Sequence, residues 1–412
     1  MIHYESFELN NGLKVLVHQD RTSPVATMNI LYDVGSRDES EEKTGFAHLF
    51  EHLMFGGSQN IPVYDEPLQA VGGENNAFTS PDITNYYLTL PSVNLETAFW
   101  LESDRMMGLS FKPEPLEVQR KVVIEEFKQR YLNQPYGDVW LKLRPLAYKT
   151  HPYKWATIGK EISHIENASL EDVKEFFYKH YLPNNAIMVL AGDVRIGEVE
   201  KLAKKWFEPI PAGKKTARNL PQEVRQTDAR FEHTQADVPV NMLYKCYQMC
   251  ERNSDLYHAT DLLSDVLGRS KSSRLYKKLV EEKRLFSSIQ AYVTGSMDKG
   301  LLTVQAKLNE GVAFEEANTE IEAVIEGLKN EKVQDSELKK VKNQAETMLV
   351  FGEIEVLNRA MNLAYAQLLG NAALVNQEAA LLQAVSQEQL LDIAQEVFRK
   401  ENCSTLFYEK KK

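Results

Sequence analysis

His48, Glu51 and His52 stand inside the apolar run 45-GFAHLFEHLMFGG-57, where a polar side chain without a partner costs several kcal/mol. On an α-helix residues four apart share a face, so His48 and His52 project together, with Glu51 beside them. Two imidazoles one turn apart can hold one zinc ion through bonds of about 2.0–2.1 Å. A carboxylate next to that pair can take the proton of an attacking water, the general-base role in zinc hydrolysis.

The order of these residues is H-x-x-E-H, the inversion of the zincin motif H-E-x-x-H. Five residues alone also fit two histidines satisfied in a core helix, so context must decide. A catalytic zinc needs a third protein ligand, and the first helix has none to offer: Gly45, Leu49, Phe55 and Gly56 fill the remaining positions of that face. The helical pattern 114-EPLEVQRKVVIEEFKQRYLN-133 contains two candidates, Glu125 and Glu126. Leu116, Gln119, Val123, Glu126 and Arg130 follow one face, which turns Glu126 toward the core side and Glu125 away.

The elements that must position these residues recur in the same order in both halves of the chain. The first half reads as strand 25–35, helix 45–55, strand 75–90, helices 94–108 and 114–133, helix 169–181 with a Ser169–Asp172 cap, and strand 185–192. The second reads as strand 239–249, helix 255–268, strands 286–296 and 300–308, helices 314–330 and 335–350, helix 386–400 and strand 403–409. The expected fold is α+β: two homologous domains, each a mostly antiparallel β-sheet covered by α-helices. Residues 1–208 form the zinc-binding domain, 209–228 a proline- and glycine-containing linker with a basic cluster, and 229–412 the second domain. The terminal KKK reads as a solvated tail.

A chain of 412 residues exceeds one ordinary core, at roughly 150–200 residues per domain. Hydrophobic residues at 43% and charged residues at 26% are those of a globular protein, and a net charge of −11 argues against a nucleic-acid surface. The N-terminus, MIHYESFELNNGLKVLVHQD, alternates like a strand and lacks the basic and apolar regions of a signal peptide. No window reaches the roughly 20 apolar residues of a membrane helix. The expectation is a soluble, cytoplasmic protein without a membrane partner. Three cysteines cannot build a disulfide framework, and Cys246 and Cys250 are expected on one face of a strand, packed in the core of a protein from a reducing compartment.

The chain resembles the inverted zincins of the pitrilysin and insulinase type, above all the half-length members similar to the mitochondrial processing peptidase. The segments that carry the resemblance are 35-GSRDESEEKTGFAHLFEHLMFGGS-58, 72-GGENNAFTSPDITNYY-87, 119-QRKVVIEEFKQ-129, 151-HPYKWATIGK-160 and 181-YLPNNAIMVLAGDV-194, in family order. It implies a zinc endopeptidase acting on peptides or unfolded segments in a closed chamber, each chain forming half of a clamshell. His48, His52 and Glu126 are then the ligands of one zinc per chain, and Glu51 is the general base. Glu126 ends the family's R-x-V-I-x-x-E pattern, here 120-RKVVIEE-126. Many relatives have a Glu seven residues before that ligand, where this chain has Gln119. The resemblance also makes 75-NNAFTS-80 an edge strand on which a substrate peptide lies, with Asn76, Ala77 and Phe78 as its contacts.

Members that act alone or as homodimers carry an Arg and a Tyr, seven apart, in the second domain. In 273-SRLYKKLVEEKRLFS-287 those positions hold Val280 and Ser287. The second copy also has Thr260, Leu263 and Ser264 where the metal residues would be. The implied partner is therefore a homologous zinc-free subunit that supplies the Arg and Tyr in a heterodimer. The alternative is a non-catalytic structural or chaperone-like subunit of a larger complex.

Overall fold

The computed structural model describes residues 1–214 and 217–411; Lys215 and Thr216 of the expected linker and Lys412 of the expected tail lie outside them. The chain forms two compact units. The first contains Met1–Gln129, Trp155–Leu220 and Val350–Gln377. Its sheet is built from β1 (Glu5–Glu8), β2 (Lys14–Gln19), β3 (Val25–Tyr32), β4 (Glu74–Thr79), β5 (Thr84–Pro91) and β6 (Ala186–Gly192), in the order β1-β2-β6-β3-β5-β4. All neighbours are antiparallel except β2 and β6.

The second unit contains Arg130–Lys154, Pro221–Leu349 and Glu378–Lys412. Its sheet comprises β7 (Arg230–Ala236), β8 (Met242–Gln248), β9 (Phe286–Val293), β10 (Leu301–Leu308) and β11 (Cys403–Lys410), in the order β7-β11-β8-β10-β9. Only β7 and β11 run parallel. Without β1, the two sheets have the same strand order and the same directions, and each is α+β with mostly antiparallel pairing. The duplication read in the sequence is thus present in the topology.

The boundaries differ from the expected 1–208, 209–228 and 229–412, because two segments pack with the other half of the chain. Val139 and Leu143, on the helix Val139–Ala147, join a cluster with Tyr244, Cys246 and Leu406. Ala360, Leu363 and Ala364, on the helix Val356–Leu368, cover Leu16, Leu31 and Val189 of the first sheet. Neither helix, nor β7, was expected from the sequence. Residues 209–228 contain no helix or strand among those described, yet side chains within the segment tie it to each unit. Arg218 pairs with Asp33 and Asp38 at 3.0 and 2.7 Å in the first unit. The Glu223 carboxylate accepts from the Lys149, Thr150 and His151 N–H groups in the second.

Three further expectations are corrected. The segment 75–90 is a hairpin, β4 and β5, because Ser80–Ile83 forms a tight turn in which Ser80 N–H donates to Ile83 O and the Ser80 hydroxyl accepts from Asp82 N–H. The helix expected over 114–133 ends at Phe127 and continues as a wider π turn, Lys128–Leu132. Cys246 and Cys250 do not share a face: β8 ends at Gln248, so Cys246 lies in the cluster with Val139 while Cys250 packs against the opposite core. All three cysteines are free. Among the described residues no helix is long and apolar enough to cross a membrane.

Four helices of the first unit matter for the site: α1 (Phe46–Leu53), α2 (Asp65–Ala70), α3 (Leu95–Met107) and α4 (Pro113–Phe127). Helix α1 begins at Gly45, whose φ of +87° suits glycine and whose added Cβ would meet Ile158 O at 2.6 Å. The buried Glu39 carboxyl group caps it, its oxygens accepting from Gly45 N–H at 3.0 Å and Ala47 N–H at 2.8 Å. Phe50 stacks on Phe176 and Tyr181, with centroids 5.0 and 5.2 Å away. The Tyr86 hydroxyl, from β5, donates to Phe50 O. Beneath Tyr86 the buried Arg105 of α3 pairs with Glu102 and lies 4.4 Å from the Tyr86 ring and 4.7 Å from that of Tyr64.

Burial pushes the Glu39 carboxyl up to about 8 from its ordinary 4.5, against the pull of the two N–H groups that it accepts from. A carboxyl raised on folding gives stability that is full below about 4.5 and is lost as pH climbs through about 8. His180 is driven down to about 4 by burial, so its contribution is present above 6.5 and is lost as pH falls through about 4. Of these two, only Glu39 changes between pH 6.5 and 8. Urea unfolding of the metal-free chain is expected to show stability falling across that window, and Glu39→Gln to flatten the fall; an unchanged slope in the variant would exclude Glu39 as its source.

Candidate metal centre

Helix α1 is eight residues long and buries Phe46, Ala47, Leu49, Phe50 and Leu53. That leaves one narrow face, on which His48 and His52 stand one turn apart, their rings edge to face with centroids 4.9 Å apart. Helix α4 packs against α1 and brings Glu126 to this face. Glu126 Oε2 is 3.6 Å from His48 Nε2 and 3.3 Å from His52 Nε2.

One ligand atom from each of the three lies within 4.8 Å of the others. A tetrahedral ion with bonds of 2.0–2.2 Å needs donors about 3.4 Å apart, so the two measured separations suit zinc, and two imidazoles with one carboxylate are a donor set that zinc takes. The side chains are 12%, 23% and 17% exposed, so the cluster is reachable from solvent. No other group of three or more His, Cys, Asp or Glu side chains converges in this way among the described residues.

The choice between Glu125 and Glu126 follows from the helix face. Glu125 is 60% exposed and pairs with Lys128 at 2.8 Å. The orientation of α4 is fixed by Arg120, whose guanidinium donates to Ile165 O and Ala168 O. Gln119 lies two turns before Glu126, half-buried beside Gly56.

Glu51 turns toward the sheet, where its Oε2 accepts from the Thr79 hydroxyl at 2.6 Å. Thr79 ends β4, the outermost strand of the first sheet. Along β4 the exposure alternates, with Asn76 and Phe78 outward and Ala77 and Thr79 on the half-buried side facing α1. The three residues expected to contact substrate therefore divide between two faces. Ala77 N–H is taken by the Asn76 side-chain oxygen at 2.8 Å, so the strand covers one of its own open donors.

Thr79 was not singled out from the sequence, although strand alternation places it with Ala77 on the helix side. Glu39 left no comparable signal, because it reaches N–H groups six and eight positions ahead. In the second unit, the residues at the metal positions offer no donor set. The Thr260 and Ser264 hydroxyls donate to Leu256 O and Asp261 O of their own helix, and Leu263 is core. Val280 packs against the same core, and the Ser287 hydroxyl donates to Lys307 O.

Residues 14–159 match the sequence family described as Insulinase (Peptidase family M16), and residues 167–345 match that described as Peptidase M16 inactive domain. The chain is 34% identical to the zinc protease PqqE of Helicobacter pylori over 82% of this chain and 78% of that protein. It is 28% identical to a probable mitochondrial-processing peptidase subunit beta of Arabidopsis thaliana, over 52% of this chain and 40% of that protein. The crystal structure of a protease from Helicobacter pylori superposes with a TM-score of 0.93 at 30% identity, covering 99% of this chain and 100% of the other.

A ligand that binds only the folded chain stabilises it, by about 2.7 kcal/mol at a hundredfold excess over its dissociation constant. Zinc added to metal-free protein is expected to raise the melting temperature, and His52→Ala to abolish the rise. Equal shifts in both proteins would reject this cluster as the metal site.

Proposed function

Because the chain belongs to the insulinase family, peptidase family M16, we propose that it is the zinc-dependent endopeptidase subunit of a closed chamber that admits peptides and unfolded segments. The observation that carries this reading is the convergence of His48, His52 and Glu126, with Glu51 on the same helix as the two histidines. His48, His52 and Glu126 would hold one zinc ion, which when bound polarises the scissile carbonyl and lowers the pKa of a water molecule toward neutrality.

Glu51 accepts the proton of the attacking water and passes it to the leaving amine. Thr79 is its positioning residue, its hydroxyl donating to Glu51 Oε2 and so holding the carboxylate in place. The substrate lies along β4 as an added strand, with main-chain pairing at Asn76, Ala77 and Phe78 supplying affinity. A substrate carbonyl that takes the Ala77 N–H displaces the Asn76 side chain, exchanging one hydrogen bond for another at little net cost.

Val280 and Ser287 leave the second unit without a guanidinium or phenol at the positions where the family resemblance places them. The chain accordingly works with a homologous zinc-free partner that supplies them. The name of the Arabidopsis relative, a peptidase subunit, is in keeping with this division of labour.

Glu51→Gln is expected to retain zinc and to slow cleavage of a fluorogenic peptide by about 10²–10⁴-fold, because a carboxamide cannot take the proton; turnover at the parental rate would reject Glu51 as base. Thr79→Val is expected to keep zinc and lower kcat about tenfold with KM little changed, and to move the acidic limb of the pH profile upward, since Glu51 loses a donor to its charged form. A profile that does not move would assign Thr79 a structural role only. The chain purified alone is expected to cleave poorly and to gain activity with its homologous partner; full activity alone would overturn the two-chain reading.

A further inference from the structure

The duplication gives the second unit its own version of the α1–α4 junction. There the helix Tyr257–Ser264, prolonged by the π turn Asp265–Arg269, stands for α1, and the helix Asp335–Gly352 stands for α4. In the first unit the two helices are in contact and the junction presents the metal ligands. In the second they border a cavity of about 810 Å³ that is open to solvent. Asp265, Arg269, Lys339, Lys340, Gln344 and Met348 line it.

The charge around this cavity is opposite to that of the chain as a whole, which is −11. Folding joins the basic stretch 269-RSKSSRLYKK-278 to 339-KKVK-342, two segments that look unremarkable apart. Arg269 is spoken for by Asp265 at 2.9 Å, Arg274 by Glu337 at 2.9 Å and Lys278 by Glu282 at 3.4 Å. Lys271, Lys277, Lys339 and Lys340 have no carboxylate partner among the described residues. Lys340 is half-buried, its ammonium donating to Ser272 O. Burial and the charges of Lys277 and Arg274 hold it below the ordinary lysine range, against the opposing pull of Glu337. A bound anion would relieve that repulsion.

We propose that this cavity is a binding site for an acidic peptide segment, whose carboxylates pair with Lys339, Lys340 and Lys277 and whose apolar side chain lies against Met348. The Met348 sulfur already contacts the Arg269 guanidinium at 3.4 Å, so an apolar wall and a cationic rim meet at one place. The aliphatic stems of Lys339 and Lys340 add to that wall. A nucleic acid fits less well, because Asp265 lies in the cavity and the remaining surface is acidic. The inference does not depend on the peptidase reading, since none of these residues belongs to the metal cluster.

The test uses the full chain carrying Glu51→Gln and a fluorescein-labelled Glu-Glu-Leu-Glu-Glu-Leu peptide, followed by anisotropy at low salt. Saturable binding is expected, weakened about tenfold by Lys339→Glu with Lys340→Glu and weakened further as salt rises, and unaffected by His52→Ala. Lys339→Gln with Lys340→Gln, which keeps the side-chain stems, is expected to give a smaller loss at an unchanged melting temperature. Absence of saturable binding, equal binding of a Lys-Lys-Leu-Lys-Lys-Leu peptide, tighter binding of a DNA oligonucleotide, or an affinity that neither double variant changes would each overturn the proposal.

Discussion

Two turns of helix cannot hold their own shape in water, and α1 has only eight residues. Its place is fixed from outside: Glu39 satisfies N–H groups at its start, Gly45 admits the left-handed turn that leads into it, and Tyr86 ties down a carbonyl within it. Each of those contacts draws on a different part of the first unit. Glu39 follows the turn after β3, Gly45 fits against Ile158, and Tyr86 belongs to β5 above the buried Arg105–Glu102 pair. The donor separations at His48, His52 and Glu126 inherit their accuracy from this arrangement, because a shift of one side chain by an ångström would spoil a tetrahedral set.

The same supersecondary unit has been used twice, with opposite chemical outcomes. In the first copy the junction of two helices carries imidazoles and carboxylates. In the second, hydroxyls turn back onto their own helix and leucine fills the core, while lysines gather at the rim. The shared sheet order shows that the scaffold tolerates both, which is the general relation between a fold and the sites placed on it.

Two of the three converging side chains, His48 and His52, were legible because their geometry is local, whereas Glu126, on a separate helix, was reached through its helix face and the family pattern 120-RKVVIEE-126. Spacing of i and i+4 fixes the two histidines on one face, and the apolar stripe of α4 separates Glu126 from Glu125. The repeated order of elements, the Ser169–Asp172 cap and most strands could be read for the same reason. What could not be read depends on distant parts of the chain. Thr79 meets Glu51 across 28 positions and Glu39 reaches a helix that begins later. The helices Val139–Ala147 and Val356–Leu368 carry ordinary amphipathic patterns that say nothing about which sheet they cover. The Ser80–Ile83 turn was a matter of recognising turn chemistry inside a strand-like run.

The helix Val356–Leu368 covers one face of the first sheet, although more than 100 residues of the second unit precede it in the chain. During synthesis, β1 to β6 are complete once Gly192 has emerged, but Leu16, Leu31 and Val189 then present bare hydrocarbon. At 5–20 residues per second, the covering helix follows on the order of 10 seconds later. The first unit therefore finishes folding only after most of the second has left the ribosome, and until then it offers an apolar sheet face to any chaperone within reach. A gene fragment ending at the apparent domain boundary would encode that unfinished state permanently.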